Sequence, residues 1–242
     1  PSGVSFSLTG CKWKMPVPVS HVIFDVDGLL IDTESLFTKI MQAIIDPFGK
    51  KFTWEVKSKQ MGKKTKEAAQ VLIDELDLPI TVDHYASEVQ RLTRELFPDA
   101  LLLPGAERLV RHLHKHSIPM ALASGSNLEE YELKTTNHKE LFGLFLHYVL
   151  SSSDPDVKNG KPAPDCFLVC AKRFKDSPDP SKCLVFEDAP NGVQGALNAG
   201  MQVVWIPDPN MKLGDLKDKA TVVLKSLDEF QPEMFGLPPY DS

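Results

Sequence analysis

Residues 24–33 read FDVDGLLIDT and follow directly on His21-Val22-Ile23. An apolar run that ends in two carboxylates, Asp25 and Asp27, one residue apart is costly on a buried element unless something binds the charges. The stretch therefore reads as a strand whose end is a site, provided that the rest of the chain supplies a sheet around it and partners for its acids.

The sheet is legible. Short strand-like runs recur at 22–26, 120–124, 147–150, 183–186, 202–206 and 221–224, and most are continuously apolar, the pattern of parallel strands covered on both faces. Helical patterns separate them. Leu109, Val110 and Leu113 share a stripe after Pro104, and a helix over 190–199 has proline at its start and Gly200 at its end. This βαβ rhythm begins near residue 102. Between the first strand and the next, 33–101 carries only helical patterns, too many residues for a crossover. The fold class is thus α/β, a Rossmann-like doubly wound parallel sheet with an inserted all-helical cap: 21–32 and 102–242 form the core, 33–101 the cap, and 1–20 a flexible N-terminal extension. An insertion at the carboxyl end of a strand lies over the place where such sheets bind ligands.

Composition narrows the function classes. The chain has 242 residues, 42% hydrophobic and 25% charged, enough for a full core, and its net charge of −6 with interleaved bases argues against a nucleic-acid surface. No run approaches the roughly 20 apolar residues that cross a bilayer, and residues 1–20 lack the apolar segment of a secretory signal. Four cysteines are too few for a disulfide framework; Cys166 and Cys170, four apart on one helix, read as buried thiols before metal ligands. A cytoplasmic monomer is expected, with no membrane and no nucleic acid polymer as partner.

Several chemically active residue types fall at the carboxyl ends of the expected strands. Asp25 and Asp27 follow the first, Ser124-Gly125-Ser126 the second and Glu187-Asp188 the fourth, while Gly160-Lys161-Pro162 sits in the loop after the third. Four carboxylates on one sheet edge require a cation, and oxygen donors without histidine suit magnesium rather than zinc. Competing motifs fail on spacing. A calcium loop beginning at Asp25 has Leu30 and Leu36 where glycine and glutamate belong, Gly62-Lys63 lacks the first glycine of a phosphate loop, and Ser124 has Leu122 in place of a nucleophile-elbow glycine.

Taken in order, Asp25-x-Asp27-Gly28 with Asp32-Thr33, Ser124, Lys161 in Gly-Lys-Pro-Ala-Pro-Asp, and Glu187-Asp188 resemble the four motifs of the haloacid dehalogenase (HAD) superfamily of phosphatases. The likeness is nearer still to its eukaryotic pseudouridine-5'-phosphatase-like branch, through Met61-Gly-Lys-Lys64, Cys183-Leu-Val-Phe-Glu-Asp-Ala-Pro-Asn-Gly192 and the tail 230–238. The resemblance implies a C1-type cap and a phosphomonoesterase. Asp25 is then the nucleophile that forms an aspartyl-phosphate. Asp27 is the acid and base, a role that requires a raised pKa. Magnesium lies on Asp25, Asp188 and the Asp27 carbonyl, with Glu187 orienting its waters. Lys161 holds the nucleophile and a phosphate oxygen, while Ser124, Gly125 and Ser126 bind phosphate. Ser126 is also a candidate helix cap.

For the leaving group, Gly62, Lys63 and Lys64 are the cap candidates. The resemblance favours pseudouridine 5'-phosphate, with sugar phosphates, glycerol phosphate and other nucleotides as alternatives. A β-phosphoglucomutase-like enzyme resembles this chain too, but usually carries histidine where Phe37 stands. The small residues Gly192, Gly195, Ala196 and Ala199 form a stripe expected to bring their helix close to the sheet and steady the loop with the metal ligands.

Overall fold

The computed structural model describes residues 16–60 and 65–241. All the expected strands form: β1 (His21–Phe24), β2 (Met120–Ser124), β3 (His147–Leu150), β4 (Cys183–Glu187), β5 (Gln202–Trp205) and β6 (Val222–Val223). They pair in parallel in the order β3-β2-β1-β4-β5-β6. The winding direction reverses between β1 and β4, so Asp25, the residue after β1, stands at the topological switch point.

The continuous apolar runs are explained by the two faces they serve. Val22, Phe24, Leu122, Leu184 and Phe186 belong to one core, shared with Leu109, Val110 and Leu113 of α5 (Ala106–Lys115). Ile23, Ala121, Ala123, Val185 and Val203 belong to the other, under α8 (Asp165–Lys172) and α9 (Pro190–Asn198). Side chains alternate faces along each strand, and both faces are covered, so neither parity can be polar. Phe24 and Phe186 meet in register and stack with ring centres 4.8 Å apart. Cys166, Cys170 and Cys183 are buried free thiols of the second core, and burial pushes each of them up in pKa.

Between β1 and β2 the described residues form α1 (Thr33–Ile45), α2 (Trp54–Gln60), α3 (Thr65–Leu76) and α4 (Val82–Leu96) before α5, with no named strand. Asp32 starts α1: its carboxylate accepts from the Ser35 amide at 3.0 Å and the Ser35 hydroxyl at 2.6 Å. Leu36, Ile40 and Ile44 then repeat on the buried face. The chain enters and leaves this insert at one place, because the Asp32 amide donates to the Leu101 carbonyl and the Leu103 amide to the Leu30 carbonyl, both at 2.9 Å. After β2 come α6 (Leu128–Thr135) and α7 (Lys139–Phe142).

Part of the expected flexible extension is held. The Val17 amide donates to Gln202 Oε1 at 2.9 Å, and the Val19 amide to the Phe235 carbonyl at 3.0 Å, which ties residues 17–19 to β5 and the tail while Val19 is buried. Gly62, Lys63 and Lys64 lie outside the described residues. Among the described residues no helix is long and apolar enough to cross a membrane.

Candidate active site

The turn after β1 is drawn tight by backbone hydrogen bonds from Leu30 and Ile31 to the Val26 carbonyl, at 3.1 and 3.0 Å. Gly28 turns the chain with φ +72°, and a Cβ there would lie 2.5 Å from Asp188 Oδ2. Only glycine permits both the left-handed backbone and that approach. The turn thereby sets Asp25 and Asp27 beside the end of β4, where Glu187 and Asp188 stand.

Lys161 organises one half of this cluster. Its ammonium donates to Asp25 Oδ1 at 2.5 Å, Glu187 Oε1 at 2.6 Å and the Ala123 carbonyl at 3.0 Å, which uses all three of its protons. The expected grip on Asp25 is present; a phosphate oxygen would have to displace one of the other two acceptors. Glu187 has partners within the protein as well: one oxygen accepts from Lys161 and the other from the Ala189 amide at 3.0 Å.

The other half is built on Asp27. Ser124 Oγ and Ser126 Oγ both donate to Asp27 Oδ2, at 3.1 and 3.0 Å, and Lys134, on α6, forms an ion pair with the same oxygen. Ser126 is not a helix cap; Asn127 caps α6 in a reciprocal box with Glu130, which leaves both serines to the site. Lys134 was missed in the sequence. The available signal is its spacing, a lysine on the buried stripe of Tyr131 and Thr135.

Electrostatics separate the acids. Burial pushes Asp25 above the ordinary carboxylate range; Lys161 opposes this, and Glu187 and Asp27 add to it. Burial also pushes Asp188 well above the ordinary carboxylate range, with Glu187, Asp25 and Glu34 reinforcing it. Asp27 corrects an expectation: burial alone would raise it, but Lys134, aided by Thr33 and Ser126, brings it below its ordinary value. The raised proton affinity expected of an acid is thus not present at Asp27, because a buried lysine faces it.

The donor chemistry fits a hard divalent cation. Four carboxylates, Asp25, Asp27, Glu187 and Asp188, face two ammonium groups, and the Asp188 carboxylate has no hydrogen-bond or ion-pair partner among the described residues. Among the described residues no three acid, histidine or cysteine side chains converge as a ready-made cage. Lys161 stands between Asp25 and Glu187, so a cation at Asp25 and Asp188 must be completed by backbone carbonyl and water.

Gly192 and Gly195 do allow close packing, against the end of β4 and against the loop and helix beside it. A Cβ on Gly192 would fall 1.8 Å from Glu187 Oε1, and one on Gly195 would lie 3.2 Å from the Ala163 carbonyl and Phe167. The stripe on α9 makes room for the Glu187 carboxylate and for the loop that carries Lys161.

A cleft of about 740 Å³ opens from Asp188 toward the helical insert, walled by Phe37, Met41, Phe52, Trp54, Tyr85 and Val89. Among its lining, Lys57 of α2 pairs with Glu34 of α1 at 2.6 Å. Neither residue was singled out in the sequence, since only the fold brings them over Asp188.

The model of the haloacid dehalogenase-like hydrolases matches residues 19–200, through β1, the insert and the ends of β2 to β4. The chain belongs to that family. Within the HAD family it is 50% identical over 222 residues to a Drosophila melanogaster protein described as "Probable pseudouridine-5'-phosphatase", covering 92% of this chain and 96% of that one. It is 47% identical over 226 residues to the Arabidopsis thaliana (DL)-glycerol-3-phosphatase 2, covering 92% and 93%. A HAD family hydrolase from Deinococcus radiodurans, solved with bound phosphate and sodium, shares the fold with a TM-score of 0.78 at 23% identity, covering 93% of this chain and 100% of that one. This chain is a phosphatase of the family.

Proposed function

We propose that the chain is a magnesium-dependent phosphomonoesterase that converts pseudouridine 5'-phosphate to pseudouridine and phosphate, with 33–101 acting as a cap that selects the leaving group. The observation that carries the substrate reading is the aromatic cleft opening at Asp188. Its walls suit a planar base, and its volume far exceeds the needs of glycerol. The 50% identity to the fly protein supports the same choice.

Asp25 attacks phosphorus. A bond forms between its oxygen and phosphorus as the ester P–O bond breaks, and the electron pair leaves with the alkoxide, which takes a proton from Asp27. Asp27 takes up that proton from solvent as the substrate binds, since the negative charge of an arriving phosphate raises its hold on a proton. In the second step Asp27 takes a proton from the water that opens the aspartyl-phosphate. Bound by Asp25, Asp188 and the Asp27 carbonyl, magnesium would neutralise the charge that otherwise keeps a carboxylate from a phosphate dianion. Glu187 serves by holding Lys161, and Lys161 by holding Asp25.

Phosphate release from pseudouridine, uridine, glycerol and hexose phosphates, measured with magnesium, with EDTA and in Asp25→Asn, tests this reading. The expected result is highest kcat/KM for pseudouridine 5'-phosphate, with no turnover in EDTA or in the variant. Turnover surviving in Asp25→Asn would remove the nucleophile assignment, and a faster glycerol or hexose ester would remove the substrate.

A further inference from the structure

Lys134 is 0% exposed, and a lysine so buried is rare unless its charge is paired. Its partners are Asp27 Oδ2 and Ser126 Oγ, the latter at 2.5 Å. Lys134, Ser124 and Ser126 thus all address the same carboxylate oxygen. Thr33, beside Asp27, has a buried hydroxyl with no well-formed hydrogen bond. Nothing in the two-step scheme above uses Lys134.

A lysine that merely fastened α6 to the core would not need an acid two residues from Asp25. The helix is already anchored by its capping box and by the buried Tyr131 and Thr135. Around it, α6 and the turn that follows are also held to the insert, through Arg94 to Glu129 at 2.6 Å, Asn137 to the Pro98 carbonyl at 2.7 Å and His138 to the Ala100 carbonyl at 2.7 Å. Lys134 therefore projects from a helix fixed on both sides, which makes it a rigid reference for whatever it holds.

We propose that Lys134 is a positioning residue: with the two serines it pins one oxygen of Asp27, so that the other is presented to the ester oxygen when the alkoxide departs. The inference rests on the phosphomonoesterase reading. Its effect falls on the step in which the P–O bond breaks, the electron pair goes to the leaving oxygen and the proton of Asp27 follows it. Esters whose leaving group departs without a proton bypass that requirement.

The test compares an alkyl ester, glycerol 3-phosphate or a nucleoside 5'-phosphate, with p-nitrophenyl phosphate in wild type and Lys134→Met. The expected result is a kcat/KM loss of about 100-fold on the alkyl ester against a loss of under about threefold on the aryl ester, because kcat/KM reports only the steps up to departure of the leaving group and not the later opening of the aspartyl-phosphate, which both esters share. Because Lys134→Met leaves Asp27 facing an apolar group, the cycle is closed with Asp27→Asn and the double variant, in which no charge is stranded. Lys134→Met should cost nothing further on the alkyl ester once Asp27 is Asn. Equal losses on both esters, or full additivity in the double variant, would assign Lys134 to structure alone and overturn the proposal. A wild-type chain inactive on every ester would overturn the phosphatase reading itself, a result distinguishable from either.

Discussion

Lys161 Nζ lies 2.5 Å from Asp25 Oδ1, across 136 residues of sequence. The same ammonium is 2.6 Å from Glu187 Oε1, and the side chains of all three residues are largely buried. One cation thus offsets two carboxylates at the ends of β1 and β4.

Removing that cation strands both acids. Lys161→Met is expected to lower stability by about 3–5 kcal/mol, the usual cost of breaking a buried pair, and to abolish turnover. Adding Glu187→Gln should restore part of the stability and none of the activity. Urea midpoints read the first effect and phosphate release the second; an unchanged midpoint in Lys161→Met would contradict the geometry.

At Gly28 the backbone and the space are both exacting. Gly28→Ala forces an L-residue to φ +72° and drives its methyl toward Asp188 Oδ2. The expected stability loss is about 1–2 kcal/mol from the backbone alone. Magnesium titrations of activity should shift to higher concentration as Asp188 is displaced. A variant with the wild-type magnesium midpoint would show that Asp188 is not a ligand.

The cleft wall is open to a selectivity test. Trp54→Ala removes an aromatic face, and stacking of a base is worth about 1–3 kcal/mol. The KM for a nucleoside 5'-phosphate should therefore rise by about tenfold while that for glycerol 3-phosphate changes little. Parallel changes on the two substrates would place the base elsewhere.

A pH effect follows from the loop that carries Lys161. Arg173 donates to both oxygens of Asp154, at 2.5 and 2.8 Å, and to Asp156 at 2.8 Å, and the pair of hydrogen bonds to Asp154 holds its carboxyl below its ordinary value. A depressed folded pKa contributes stability that is fully present above the unfolded value of about 3.9 and is lost as the pH falls through the folded value. Asp154→Asn should be less stable than wild type at pH 7, and the gap should narrow below about pH 4. Urea midpoints across that range check it; a gap independent of pH would exclude the ion pair as its source.

Local residue order carried a large part of this molecule. The doubly covered strands announce themselves as continuous apolar runs, the acids mark strand ends, and Asn127 or Asp32 can start a helix from its own side chain. What these short-range patterns could not convey was pairing. Nothing near Asp27 in the chain says that a lysine 107 residues later sits against it, and nothing near Lys161 says that its three protons are already spent.

A parallel α/β sheet, a helical insert after β1 and a set of acids, serines and a lysine at one sheet edge can be read from residue order, because hydrophobic period and strand-end charge are local properties. Which acid is held below its ordinary pKa and which is pushed above it, that Glu187 holds Lys161, and that Lys134 holds Asp27 come only with the folded chain. A carboxylate's proton affinity depends on burial and on charges a few ångströms away, and those distances exist only once β1, β2, β4 and α6 are folded together.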